Sequence, residues 1–287
     1  MARNPRFEQV SPEVGEVDEA AVEEGMRDDP DEMLGMLADL TAATDPKLRE
    51  LARRLAGRLF LDLSRRGPVR PRGVGKIVEQ RYRPDGGDLD IDASLDALVD
   101  AGGPEGARAG RVDPERLRVR GWVKPGTALC LLVDRSGSMG GKPLAASAVA
   151  AASVAWRSPT DYSVLAFGKD VVAAKSQDVA KEPERVVNDV LSLRGFGTTD
   201  LAGALRGAAE QLGRSSAGRK ITILLSDCRA TVDGDPVGAA AQLGELVVIA
   251  PEGDSDEAQA FARRTGARLT TISGPSQVAD AIASVLE

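Results

Sequence analysis

The chain has 287 residues, 42% of them hydrophobic and 28% charged, which is the balance of a soluble globular protein with room for one large domain or a domain plus an extension. It has no histidine and two cysteines, so histidine-based triads, histidine general bases and cysteine- or histidine-rich zinc sites are excluded. Aromatic residues make up 3%, so a core must rest on Ala, Val and Leu, and stacking platforms for single-stranded nucleic acid are not expected.

The net charge of −7 is unevenly spread, for residues 1–40 carry twelve acidic and three basic side chains. The opening MARNPRFEQVSPEVGEVDEA has no apolar core of a secretory signal, and no apolar run is long enough to span a bilayer. A cytoplasmic location is the resulting expectation. The stretch to about Asp29 is polar enough to be read as disordered, and DEMLGMLADL as a helix. Residues 45–66 have helical spacing of Leu51, Leu55 and Leu59, with Asp45 as cap and Pro46 in the first turn. Residues 46–83 reverse the balance, with twelve basic and three acidic side chains; because leucines punctuate the basic groups, they are read as a solvated helix face that pairs with the acidic segment rather than as a nucleic-acid surface.

GPVRPRGVG breaks that helix. RPDGGDLDIDASLDALVDAGG then reads as a turn and a short helix over 93–100. Its alternating Asp85, Asp88, Asp90 and Asp92 lack the order of a calcium loop and suit a turn and helix cap. RVDPERLRVRGWVKPG supplies a turn and one strand. Trp122 and Trp156 are expected to be packing residues. Residues 1–120 are therefore expected to be a mainly helical N-terminal region, acidic and then basic, and 121–287 the domain that follows it.

From Gly126 the texture changes. TALCLLVD is a continuous apolar run, as in a parallel strand buried on both faces. An Ala-rich helix follows, then DYSVLAFGKDVVAAK as a hairpin around Gly168-Lys169. After two more helices, the strands ITILLSD, ELVVIAP and RLTTIS alternate with helices to the end. Such alternation predicts an α/β fold: a doubly wound, mostly parallel six-stranded sheet with an antiparallel hairpin strand at one edge. Cys130 and Cys228 lie in or beside apolar strands and are read as buried thiols.

Ligands of such sheets bind beyond the carboxyl ends of the strands. Two strand-like runs end there on aspartate, Asp134 and Asp227, and Ser136 and Ser138 follow the first. Two carboxylates at one rim repel unless a cation or proton lies between them. With serine hydroxyls they form a hard-oxygen set suited to Mg²⁺ or Mn²⁺ rather than to zinc or copper. Taken singly, Ser138 could merely cap a helix and Asp227 hold a turn.

Asp134-Arg135-Ser136-Gly137-Ser138, followed by Met139, resembles the Asp-x-Ser-x-Ser pattern of the metal-ion-dependent adhesion site in von Willebrand factor A domains. The likeness covers about residues 121–287. It implies a loop threonine, for which Thr199 of GFGTTDLAGAL aligns through Asp200-Leu201, with Thr198 as a rival, and a late aspartate, Asp227. Cys228 stands after Asp227 where such domains usually have glycine. The resemblance further implies hydroxyl ligation of Mg²⁺ or Mn²⁺ by Ser136, Ser138 and Thr199, with Asp134 and Asp227 acting through water and hydrogen bonds. It also implies one position open to an Asp or Glu of a protein partner.

The resulting expectation is a non-enzymatic adaptor, similar to bacterial A-domain proteins that work with MoxR-type AAA+ ATPases. Similarity to A-domain subunits of magnesium and cobalt chelatases gives the alternative. A metal-dependent phosphohydrolase would need a phosphate-binding cation and an acid/base pair; Arg135 is adjacent, but no pair is evident. RNA binding through 46–83 is a minor alternative without a recognition signature.

Overall fold

The computed structural model describes residues 7, 10–12, 16–65, 76–82, 88–101, 114–123, 126–135, 140–195 and 197–286. The chain divides into two compact units, one of Met1–Arg70 with Gly126–Glu287 and one of Pro71–Pro125.

The first unit opens with helices α1 (Glu19–Asp28), α2 (Pro30–Leu40) and α3 (Pro46–Ser64), each started by an aspartate. Asp18, Asp29 and Asp45 accept amide hydrogen bonds from the first turns, the shortest being Leu48 N to Asp45 Oδ1 at 2.7 Å. Each such cap contributes about 1 kcal/mol. α1 lies in the stretch that composition marked as disordered. It is ordered by its cap and by Val22, which joins Met33, Leu37, Leu40, Leu48, Ala52 and Leu55 in a small apolar core. The expected pairing of acidic and basic segments occurs as Arg58–Glu19 at 2.8 Å among the described residues. With the two side chains 59% and 64% exposed, it adds little stability.

The second unit holds β1 (Lys76–Arg81), β2 (Asp88–Leu89), α4 (Ile91–Ala101) and β3 (Arg118–Val123). β3 lies between β1 and β2, antiparallel to both. Of its strands, only β3 was foreseen from sequence. α4 begins two residues before the expected 93, where buried Asp90 accepts from Ala93 N at 3.2 Å and pairs with Arg120 Nε at 2.6 Å. Asp90 is thus a helix cap; Asp85 lies outside the described residues. α4 buries Ser94 and Ala97 and exposes Ile91, Leu95 and Val99.

The remaining elements are β4 (Thr127–Asp134), α5 (Gly141–Arg157), β5 (Tyr162–Phe167), β6 (Val171–Lys175), α6 (Pro183–Leu191), α7 (Leu201–Gly213), β7 (Arg219–Leu225), α8 (Pro236–Ala240), β8 (Glu245–Pro251), α9 (Asp256–Thr265), β9 (Arg268–Ile272) and α10 (Val278–Leu286). Their strands form one sheet in the order β6-β5-β4-β7-β8-β9, parallel except for edge strand β6. This is the doubly wound six-stranded α/β sheet expected from the sequence.

Alternation along β4 gives the sheet its two faces. Leu129, Leu131 and Val133 enter a core with α5, α6 and α10, whereas Ala128, Cys130 and Leu132 enter another with α7, α8 and α9. α5 is buried without interruption from Leu144 to Ala155, and α2 and α3 contribute Leu34, Ala38, Ala56, Phe60 and Leu63 to its core. A helix apolar all round needs cover on every side. Here the sheet covers one side and the N-terminal helices another.

Cys130 and Cys228 are both buried thiols. Trp156 departs from the packing role expected of it: it is 45% exposed, with the Arg65 guanidinium 5.2 Å from its ring centre, a cation–π contact at the surface. The Trp122 side chain lies outside the described residues. No described helix is long and apolar enough to cross a membrane.

Candidate metal centre

β4 and β7 are parallel neighbours in a register that pairs Val133 with Leu225. Asp134 at the end of β4 is therefore level with Ser226, and Asp227 lies one residue further out. Ser226 Oγ donates to Asp134 Oδ2 at 2.5 Å and accepts from Cys228 N at 2.9 Å, so one hydroxyl ties the two strand ends together. Asp227 Oδ1 accepts from Arg229 N at 2.9 Å, which closes the turn after β7. Cys228 takes φ +64° in that turn. This is the left-handed conformation that glycine adopts more readily, so the turn is kept with a cysteine in place of glycine.

Asp134, Ser226 and Asp227 line one cavity of about 410 Å³ at the carboxyl ends of the strands, together with Lys142, Pro143 and the segment Ser273–Pro275. Asp254 lines it too and pairs with the Arg229 guanidinium. Three carboxylates, Asp134, Asp227 and Asp254, thus line it together with Lys142. The Cys228 thiol is pushed up to about 12, first by burial and then by the charges of Asp227 and Asp134, so both carboxylates act on one atom.

The threonine loop is tied to both neighbouring strand ends. Asp200 N donates to Gly168 O at 2.8 Å, beyond β5, while Thr199 N donates to Thr231 Oγ1 at 2.7 Å and Thr231 N returns to Thr199 O at 3.1 Å, beyond β7. Asp200 itself caps α7 through Gly203 N at 2.8 Å, which places Thr199 just before a helix start. Thr199 is 1% exposed, and its Oγ1 has no hydrogen-bond partner among the described residues. Thr198 is exposed. A buried hydroxyl without a partner is costly, so an orphaned oxygen in a loop bound to both strand ends fits a hard cation.

Ser136 and Ser138 lie outside the described residues, which resume at Gly140. Arg135, just before Ser136, donates its amide to Phe167 O at 2.7 Å. Its buried guanidinium reaches Asp170 O at 3.4 Å in the β5–β6 turn. Ser226 and Lys142 are cavity residues that the sequence reading missed. Ser226 directly precedes Asp227, but nothing in LLSD says that the serine rather than the aspartate lies level with Asp134.

A doubly wound sheet of this strand order, with Asp134, the Thr199 loop and Asp227 at its carboxyl rim, defines a von Willebrand factor A domain. The chain belongs to the family described as VWA domain containing CoxE-like protein, whose model matches residues 67–252. No curated protein matches it. Among solved structures it is similar to a von Willebrand factor type A protein from Catenulispora acidiphila, at 16% identity and a TM-score of 0.45 over 57% of this chain and 43% of that one. It is also similar to proximal thread matrix protein 1 of the mussel byssus, at 16% identity and a TM-score of 0.46 over 56% and 47%. A third is an aerotolerance-related membrane protein from Bacteroides fragilis NCTC 9343, at 15% identity and a TM-score of 0.44 over 56% and 98%. The chain thus spans less than half the length of the first two.

Proposed function

We propose that this protein is a divalent-metal-dependent protein-binding module, an adaptor rather than an enzyme. Ser136, Ser138 and Thr199 would hold Mg²⁺ or Mn²⁺, with Asp134 and Asp227 supporting it through water and hydrogen bonds. When bound, the metal supplies positive charge in an acidic cavity, where an Asp or Glu of a protein partner can meet it. The observation that carries this reading is the buried Thr199 Oγ1, which lacks a partner among the described residues. Arg135 argues against a phosphohydrolase, because its guanidinium is turned to the Asp170 carbonyl. Membership in the CoxE-like family supports a MoxR-type AAA+ ATPase as partner.

Calorimetric titration tests the metal. Asp134→Ala should weaken Mg²⁺ binding at least about tenfold, in the range seen when groups supporting a metal site are removed. Unchanged affinity would remove Asp134 from the site. Pull-downs in Mg²⁺ and in EDTA test the partner. A AAA+ ATPase retained in Mg²⁺ alone and lost with Asp134→Ala is the expected result, and the same proteins held in EDTA would place the grip elsewhere.

A further inference from the structure

α2 meets the candidate metal face along one stripe. Asp31, Gly35 and Asp39 stand four residues apart and share a side of the helix. Asp39 Oδ1 accepts from Gly141 N at 2.6 Å. α5 has no cap of its own, because Gly140 at the cap position makes no side-chain bond. Gly141 turns the chain at φ +53°, in the left-handed region open to glycine. A carboxylate 102 residues away in sequence thus does for α5 what a local Asp or Ser does for most helices.

Gly35 lets α2 come this close, since a Cβ there would lie 3.0 Å from Lys142 N and 3.2 Å from Gly141 C. At the other end of the stripe, Asp31 Oδ1 accepts from Ser276 N at 2.7 Å, beyond β9. Lys142 and Pro143 form one wall of the cavity that holds Asp134 and Asp227, and Ser273, Gly274 and Pro275 form the other. One N-terminal helix therefore bonds to the residues next to both lining segments, Gly141 before Lys142 and Ser276 after Pro275. Arg135 is held by the Phe167 carbonyl and Gly141 by Asp39.

We propose that α2 is a working part of the metal face. Asp39 is a positioning residue for the first turn of α5, beside the cavity residues Lys142 and Pro143, and Asp31 holds the Ser273–Pro275 segment through Ser276, so metal affinity depends on α2 being docked. The functional half rests on the metal reading above; the clamp itself does not. Fixing the segments that line a cavity preorganises the carboxylates within it, as supporting contacts do around a bound metal.

The test uses the full chain, with Mg²⁺ calorimetry and amide hydrogen exchange at Gly140–Lys142 measured with and without metal. Asp39→Ala should accelerate exchange there in the absence of metal and lower Mg²⁺ affinity about tenfold. Asp39→Asn keeps the acceptor oxygen and loses the charge, so it should restore most of the affinity; an equal loss in both variants would assign the effect to charge and overturn positioning. Gly35→Ala lifts α2 from the Lys142 backbone without touching a carboxylate and should act in the same direction. Exchange unchanged in Asp39→Ala would overturn the clamp, and faster exchange with unchanged affinity would overturn its link to the metal. If the wild-type chain binds no Mg²⁺, the metal reading fails and takes the functional half with it, while exchange alone still decides the clamp.

Discussion

Thr198 and Thr199 are neighbours with opposite surroundings, one exposed and one buried with an orphaned hydroxyl among the described residues. The sequence aligned Thr199 with the metal-site threonine through Asp200-Leu201 but kept Thr198 as a rival. Only the fold separates them by burial. Because an unsatisfied buried hydroxyl costs about 1–3 kcal/mol, Thr199→Val should raise the melting temperature in EDTA while it weakens Mg²⁺ binding. Thr198→Val should change neither. Melting curves with and without metal would show this, and the reverse pattern would make Thr198 the donor. Cys130 gives a second prediction at this scale. Burial pushes its thiol from 9.0 up to about 12. The folded state then keeps a proton that the unfolded chain releases above pH 9. The stability it contributes is complete below that pH and is lost as pH rises towards the folded value, by up to about 1.4 kcal/mol per pH unit. Urea midpoints should fall from pH 8 to 10, with the buried Cys228 thiol adding a slope of the same sign, and Cys130→Ala should reduce the fall without abolishing it.

At the scale of elements, the strands and helices after Gly126 were legible because each carries its own period. Continuous apolar runs marked β4, β7 and β8, and the Gly168-Lys169 turn marked the hairpin. β1 and β2 were not, for β2 is two residues long and both exist by pairing with β3, a non-local event that leaves no local pattern. The register of β4 on β7 was equally hidden. A one-residue offset puts Ser226 rather than Asp227 beside Asp134, and apolar runs without alternation do not fix such an offset. α5 carried a signal that was only half used. KPLAASAVAAASVAW was read as a helix, yet its small apolar residues run round every side, which is the mark of a helix covered from above as well as below. Ala151 is fully buried in that core. Ala151→Leu should therefore cost about 1–3 kcal/mol by overpacking, read as a lower urea midpoint. Lys142→Ala, on the exposed first turn, should stay within about 0.5 kcal/mol.

At the scale of the whole molecule, residues 1–70 and 126–287 share one core although 55 residues of another unit separate them in sequence. Composition did not reveal this, because an acidic N-terminus followed by a basic helix looks like a solvated appendage. The apolar residues that matter, Met33, Leu34, Leu37 and Phe60, are few and scattered among charges, yet each is almost completely buried. Side chains of this size contribute about 1.5–3 kcal/mol apiece when fully buried, so the four together rival the 5–15 kcal/mol that holds a typical domain folded. A chain that begins at residue 71 should accordingly be insoluble or unfold without cooperativity, because α5 would lose one of its covers. Residues 1–70 supplied as a separate chain in the same cells should restore it. The two pieces are expected to co-purify through size exclusion and to unfold in a single transition. A soluble, cooperatively folded 71–287 without its partner piece would mean that the sheet and its own helices suffice. The α2 clamp on Gly141 would then be dispensable to the fold, and its effect on Mg²⁺ affinity could be measured by adding residues 1–70 back.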